Sequence, residues 1–384
     1  MKILILNYEF PPLGGGAGNT TRYISRELAR SGHSVTVITT WFKGLEEKSE
    51  TEGYNLIRLR TLRKRADRSN TLEMFHYVLK ASFRSAKFVN EERPDHVISF
   101  FAMPTGLVAW YLFKRFKVPY SLSLQGGDVP GFLPKNLRRL HRLTMPLTNM
   151  VWRSASNIVA NSDGLKELAE KTASPLGKKV ECIPNGIDTD IFKPAPSPAS
   201  SKDLSQTFSI IFVGRLVEQK GVTYILQALK EIQFTEPAAF EKMQCAIIGD
   251  GPLRHSLESE ARSLKVDKRI SFLGWLDRNE LPSRYASSSI FMMPSFEEGM
   301  PNTVLEAMAS GLPIIATNNR GTNELVQDGV NGIVVNRHDE LAAAILRLYH
   351  DPLKRKEYGA NSRKSTMTRG WDVLAQSYLD LINS

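Results

Sequence analysis

Short apolar runs alternate along the chain with stretches of helical spacing, and a glycine or proline turn separates most of them. Lys2 to Asn7 reads as a first strand. A glycine-rich turn follows, then a helix from about Thr20 to Arg30 with Ile24 and Leu28 on its apolar face, and a second strand over Ser34 to Thr40. Val97 to Phe101, Asn157 to Asn161 and Lys179 to Ile183 add strands, and Leu122 to Leu124 ends another. The alternation restarts with Phe208 to Val213, Ala246 to Gly249, Ile270 to Leu273, Ile290 to Met293 and Pro313 to Ala316. Apolar strands alternating with helices predict parallel sheets with helices on both faces, so the expected fold class is α/β.

A chain of 384 residues exceeds one ordinary core. Composition shifts to Pro, Ser and Ala across IPNGIDTDIFKPAPSPASSKD, which reads as a linker with the boundary near Asp188 to Pro198. The expected division is 1–190, 191–365, and a terminal segment 366–384 whose helix (Trp371 to Leu381) packs back on the first domain.

Within that frame the turns at strand ends carry the chemistry, because open α/β sheets bind ligands outside the carboxyl ends of their strands. PSFEEGMPNTVLEAMASGLPIIAT, from Pro294 to Thr317, reads as strand end, loop, helix and strand, with Asn302 capping the helix and Gly311 stopping it. Glu298 sits in the loop and Glu306 on the helix, where two carboxylates suit the hydroxyls of a ribose and a hexose; the plainer reading is a pair of solvated surface charges. Arg215 and Lys220, at a strand end beside a helix start, form a phosphate site of fixed charge and free amides. Gly249 opens another such turn. In the first half, Gly15 and Gly16 belong to a run from Gly14 to Gly18 that lets backbone approach a ligand. Gln125 and Asp128 lie in a further glycine-rich loop, where Asp128 is either a turn residue bonding its own backbone or a partner for an acceptor hydroxyl.

Charge is unevenly placed. Met1 to Asp188 holds 28 Lys+Arg against 17 Asp+Glu, while the whole chain holds 50 against 40, so the first half carries all of the +10 excess. An anionic partner is the usual reason for such asymmetry. RLRTLRKRADR (Arg58 to Arg68) and the stretch Leu137 to Arg153, with Arg138, Arg139, His141 and Arg142 among leucines, read either as surfaces for anionic lipid or as solvated basic faces. Nucleic acid is not expected, since neither a stacking motif nor a helix-turn-helix signal is present. His96 to Phe113 lacks formal charge apart from His96 itself, but Pro104 and Gly106 divide it into a strand and a helix rather than a membrane span. The opening run is too short for a signal peptide, and Cys182 and Cys245 lie far apart in strand-like runs, so a cytoplasmic protein is expected. Asp188-Thr189-Asp190 has the form of a metal-holding Asp-x-Asp motif but falls in the linker, and no metal or other cofactor is expected.

GRLVEQKG, IPNGIDTDIF and PSFEEGMPNTVLEAMASGLPIIAT, in that chain context, resemble the retaining glycosyltransferases of family 4, and the resemblance covers nearly the whole chain. It implies the GT-B fold: two Rossmann-like domains facing each other across a cleft, the first for the acceptor and the second for the nucleotide sugar. It also implies that Glu306 accepts from the ribose, Glu298 lies by the donor sugar, and Arg215 and Lys220 neutralise the diphosphate. Gly299, Met300, Pro301, Asn302 and Thr303 would surround sugar and phosphate, with Val304 and Leu305 supporting the nucleotide. Many members carry a histidine where this chain has Gln125, which can hydrogen-bond but cannot protonate; Asp128 is then the expected acceptor contact. The activity implied is metal-independent, retaining sugar transfer to a lipid-linked, phosphorylated or glycan acceptor in envelope or polysaccharide assembly, at the inner face of a membrane. An epimerase, a phosphorylase or a non-catalytic sugar-nucleotide binder are the alternatives. Retention of Arg215, Lys220, Glu298 and Glu306 argues against the last.

Overall fold

A computed structural model describes residues 1–65, 69–132, 137–195 and 207–384, with the backbone alone at 137–141. The chain forms two compact units, Met1–Gly186 together with Trp371–Ser384, and Ile187–Gly370. The boundary thus falls slightly before the expected 190/191, and the returning segment begins at Trp371 rather than at 366. Pro198, where the linker was expected to end, lies outside the described residues, as do Ala66 to Arg68 of the basic cluster and the side chains of Arg138, Arg139 and His141.

The first unit holds eight strands: β1 (Lys2–Leu6), β2 (Ser34–Thr40), β3 (Lys48–Thr51), β4 (Tyr54–Leu59), β5 (His96–Phe100), β6 (Tyr120–Leu124), β7 (Asn157–Ala160) and β8 (Glu181–Cys182). Their spatial order is β3-β4-β2-β1-β5-β6-β7-β8, parallel throughout except where β3 pairs antiparallel with β4. The β3–β4 hairpin is not apparent from hydropathy, because KSET is polar and half exposed at the sheet edge. Period-two alternation divides the core. Leu4, Leu6 and Ile38 face a layer that includes the helices Thr71–Glu92, Thr105–Phe116 and Leu137–Ser154, whereas Ile3, Ile5, Val35 and Val37 face the helices Gly16–Arg30 and Trp371–Asn383. The helix Thr71–Glu92 starts on a capping box: Asn70 Oδ1 accepts from Glu73 N at 2.9 Å, and Glu73 Oε2 accepts from Asn70 N at 3.1 Å. The terminal helix is fixed by Trp371 stacked on Tyr23 (centroids 4.7 Å apart) and by Tyr378, whose hydroxyl donates to Ser123 Oγ at 2.7 Å.

The second unit carries β9 (Phe208–Val213), β10 (Met243–Ile248), β11 (Ile270–Gly274), β12 (Ile290–Met293), β13 (Ile314–Thr317) and β14 (Gly332–Val335), all parallel, in the order β11-β10-β9-β12-β13-β14. One continuous apolar core underlies it. Helix starts differ from expectation in two places. The first helix begins at Gly16 inside the glycine run, and the helix Asn302–Ala309 takes Pro301 as its N-cap, so Asn302 is its first residue and not its cap. No helix among the described residues is long and apolar enough to cross a membrane.

Candidate active site

At the carboxyl end of the second sheet, the turns after β9, β10 and β12 press together backbone to backbone. Gly249, at φ +125°, would place a Cβ 2.0 Å from the carbonyl of Gly214, and Gly221, at φ +62°, would place one 2.2 Å from the carbonyl of Pro294. No side chain fits at either point, and Gly221 is what allows the Lys220 loop to touch the loop carrying Glu298. The same two loops are laced by Phe296 N donating to the Gln219 carbonyl (2.9 Å) and Gln219 Nε2 donating to the Glu297 carbonyl (2.7 Å).

Lys220 Nζ donates to Glu298 Oε1 at 2.6 Å, in an ion pair whose side chains are 14% and 8% exposed. Arg215 stands exposed on the same loop and makes no ion pair among the described residues. Glu297 lies 3.6 Å from Arg320, and burial raises its carboxyl above the ordinary range. The neighbouring amides belong to Gly299, Met300, Asn302 and Thr303. Pro301 has no N–H; its carbonyl accepts from Val304 N (3.0 Å) and Leu305 N (3.3 Å). Val304 and Leu305 are fully buried in the core and stiffen the site from beneath rather than offering a side-chain surface to a ligand.

Glu306 is 3% exposed, yet both carboxylate oxygens have partners. Oε1 lies 3.3 Å from Arg278 Nη1, and Oε2 accepts from the Tyr285 hydroxyl at 3.0 Å. Burial pushes its carboxyl up, while Arg278 and Tyr285 pull it back down. Neither partner is marked in the sequence; Arg278 follows β11 in WLDRNEL, and only that strand-end position hints at it.

In the first unit, Glu9 leans over the glycine turn, and Gly15 N donates to its Oε2 at 3.4 Å, with Gly16 opening the helix. Asp128 is a brace between two loops. Its Oδ2 accepts from Ala102 N (2.8 Å) after β5, and its Oδ1 from Gln125 N (3.0 Å) and Gly126 N (3.1 Å) after β6. Burial raises its carboxyl, and backbone amides, those of Ala102, Gln125 and Gly126 among them, offset part of that rise. The turn-residue reading therefore describes its geometry, and the expected contact to an acceptor hydroxyl competes with three bonds already made. Gln125 Nε2 donates to Ser123 Oγ at 2.8 Å. Asp188 turns Oδ1 onto the amides of Asp190 (3.2 Å) and Ile191 (3.1 Å), which is loop bracing rather than an open ligand pair. Among the described residues no group of three or more His, Cys, Asp or Glu could hold a metal ion.

Two parallel-sheet units, the second holding the Lys220–Glu298 and Arg278–Glu306 ion pairs, have the architecture of the GT-B fold, and the similarities that follow make this a glycosyltransferase that acts on sugar-nucleotide donors. More narrowly, it belongs to the family 4 glycosyltransferases: residues 14–191 match Glycosyltransferase Family 4 and residues 198–365 match Glycosyl transferases group 1. An uncharacterised glycosyltransferase of Methanocaldococcus jannaschii is 26% identical over 99% of this chain and 97% of its own. A mannosyltransferase of Mycobacterium tuberculosis, GDP-mannose-dependent and acting on phosphatidylinositol monomannoside, is 25% identical over 99% and 98%. An Escherichia coli galactosyltransferase using UDP-Gal and GlcNAc-diphosphoundecaprenol is 34% identical over 48% of this chain and 49% of its own. Among solved structures, sucrose-phosphate synthase from Thermosynechococcus elongatus superposes with a TM-score of 0.85 at 19% identity, covering 100% of this chain and 98% of that one.

Proposed function

We propose that the chain transfers a sugar from a nucleotide-diphosphate sugar to an acceptor hydroxyl with retention at the anomeric carbon and without a metal ion. The observation that carries this reading is the laced pair of loops around Lys220 and Glu298, beside Arg215 and the buried Glu306. Cleavage of the anomeric C–O bond leaves positive charge on the sugar and negative charge on the departing diphosphate. Arg215, Lys220 and the amides of Gly299, Met300 and Asn302 supply fixed positive potential for that diphosphate, which is electrostatic preorganisation rather than metal catalysis. A lysine ammonium has three N–H donors, so Lys220 can keep Glu298 and still reach a phosphate oxygen. Glu298 then orients the sugar hydroxyls and Glu306 the ribose. The acceptor oxygen attacks from the face the diphosphate leaves, a diphosphate oxygen takes its proton, and the nucleoside diphosphate departs. Gln125 and Asp128, in the loop after β6, are the proposed acceptor contacts, and Gly15 and Gly16, at the turn after β1, are proposed donor contacts.

The acceptor we propose is lipid-linked or glycan, in envelope or polysaccharide assembly, with the enzyme on the cytoplasmic face of a membrane. Relatives acting on phosphatidylinositol mannoside and diphosphoundecaprenol acceptors support it, as does the first half's basic excess. So does one face of the helix Thr71–Glu92, where Leu72, Phe75, Leu79 and Phe83 stand exposed at helical spacing beside exposed Lys80 and Lys87.

The test is thermal stabilisation by UDP, GDP, ADP and CMP, followed by transfer from the matching sugar nucleotide with NMR of the product anomer. Stabilisation by one nucleotide, lost in Glu306→Ala, with retained configuration in chelator, is the expected result. Turnover without a second sugar would favour an epimerase, and a metal requirement or inverted product would overturn the mechanism.

A further inference from the structure

Both groups that hold the Glu306 carboxylate rest on a single ring. Phe192, in the segment that enters the second unit, is fully buried. The Arg278 guanidinium carbon lies 5.3 Å from its ring centroid, and the Tyr285 ring meets it edge-on at 5.8 Å and 72°. Arg278 and Tyr285 then take the two oxygens of Glu306, at 3.3 and 3.0 Å. The Phe192 backbone is tied to the same helix from its other end. Arg363 Nη1 donates both to the Phe192 carbonyl and to the carbonyl of Ala309, each at 2.7 Å, and Ala309 closes the helix that carries Glu306.

We infer that Phe192 and Arg278 are positioning residues for nucleotide binding: the ring of the connecting segment seats the guanidinium that orients the ribose-facing carboxylate. The inference rests on the reading of Glu306 as the ribose acceptor. A buried phenylalanine needed only for volume is replaceable by leucine. A ring that seats a cation is not, because the attraction comes from the negative face of the π system. Arg278 sits opposite the ring, so Glu306 keeps its geometry only while both contacts hold. The connecting segment is thereby part of the nucleotide site, although it contributes no group that touches the ligand.

The experiment is a double-mutant cycle on the full chain with Phe192→Leu, Arg278→Met and the pair, read as the dissociation constant for whichever of UDP, GDP and ADP stabilises the wild type, alongside the thermal midpoint. Each single change is expected to weaken binding about tenfold, and the pair no more than Arg278→Met alone. Phe192→Tyr, which keeps the ring face, is expected to bind within about twofold of wild type, and Arg278→Lys stands in if the methionine variant does not fold. Additive losses, or a lowered midpoint with an unchanged dissociation constant, would make Phe192 a packing residue and overturn the inference. Glu306→Gln separates the two levels. If it binds nucleotide normally, or if no nucleotide binds the wild type, the ribose reading fails and this inference with it. If it loses binding while Phe192→Leu and Arg278→Met keep it, only the inference falls.

Discussion

Lys220 and Glu298, 78 residues apart in sequence, close an ion pair at 2.6 Å in which neither side chain is more than 14% exposed. A pair so far from water costs desolvation on both sides, and removing one partner strands the other. Lys220→Ala is expected to lose about 3 kcal/mol in denaturant unfolding. Lys220→Met combined with Glu298→Leu should regain most of it while staying inactive. Loss of turnover in Lys220→Ala should reach about 100-fold or more, the usual effect of deleting one fixed donor to a developing anion. Full turnover in a folded Lys220→Ala chain would remove Lys220 from the leaving-group role.

Glu306 gives a pH prediction of defined sign. Burial raises its carboxyl above the ordinary value of 4.5, so the folded chain holds that proton more tightly than the unfolded chain does. Its contribution to stability is therefore complete below the ordinary carboxylate range and declines as pH rises through it. Thermal midpoints for wild type and Glu306→Gln from pH 4 to 8 should show the difference moving in the variant's favour with rising pH. A flat or opposite trend would show that Arg278 and Tyr285 outweigh burial.

Asp128 tests whether a strand-end acid is a brace or a substrate contact. Asp128→Ala leaves three amides without partners, a loss of about 3 kcal/mol for bonds to a charged acceptor. Asp128→Asn, with one acceptor oxygen, should recover part of it. An acceptor contact would behave otherwise, with normal unfolding and a raised KM for acceptor alone.

The exposed face of Thr71–Glu92 makes the membrane reading measurable. Replacing Phe75 and Phe83, which are 61% and 78% exposed, by serine should cut sedimentation with phosphatidylglycerol vesicles about tenfold and leave the thermal midpoint unchanged. Binding that persists, or equal binding to phosphatidylcholine vesicles, would argue against this face. Concentration-dependent self-association abolished by the same changes would identify it as a contact between copies.

Sequence pattern makes the parallel sheets legible because most central strands are short, apolar-rich runs bounded by turns, and by the same logic it places Lys220 and Glu298 in strand-end loops and Glu306 on the helix that follows. It does not reveal β3, whose alternation is polar because a sheet edge has little to bury. Nor does it reveal Arg278, Tyr285 or Phe192 around Glu306, since those contacts join segments far apart in the chain and leave no periodic trace. Asp128 shows the opposite limit. Its turn chemistry is visible, but Ala102, its partner across the next loop, is not.

The return of Trp371–Asn383 to the first unit has a consequence for biosynthesis. Tyr23 receives its stacking partner, and Ser123 its hydroxyl donor, only from residues made after the whole second unit has emerged. The part synthesised first is thus the part completed last, and residues 1–186 reach the solvent with an open apolar seam along Ile24, Leu28 and Ile5 that awaits Leu374 and Tyr378. Domains that fold as they emerge usually do so in order from the amino terminus. Here the first unit can complete its core only after the second has been made, so a chain stopped upstream of Trp371 is expected to leave that seam exposed to solvent.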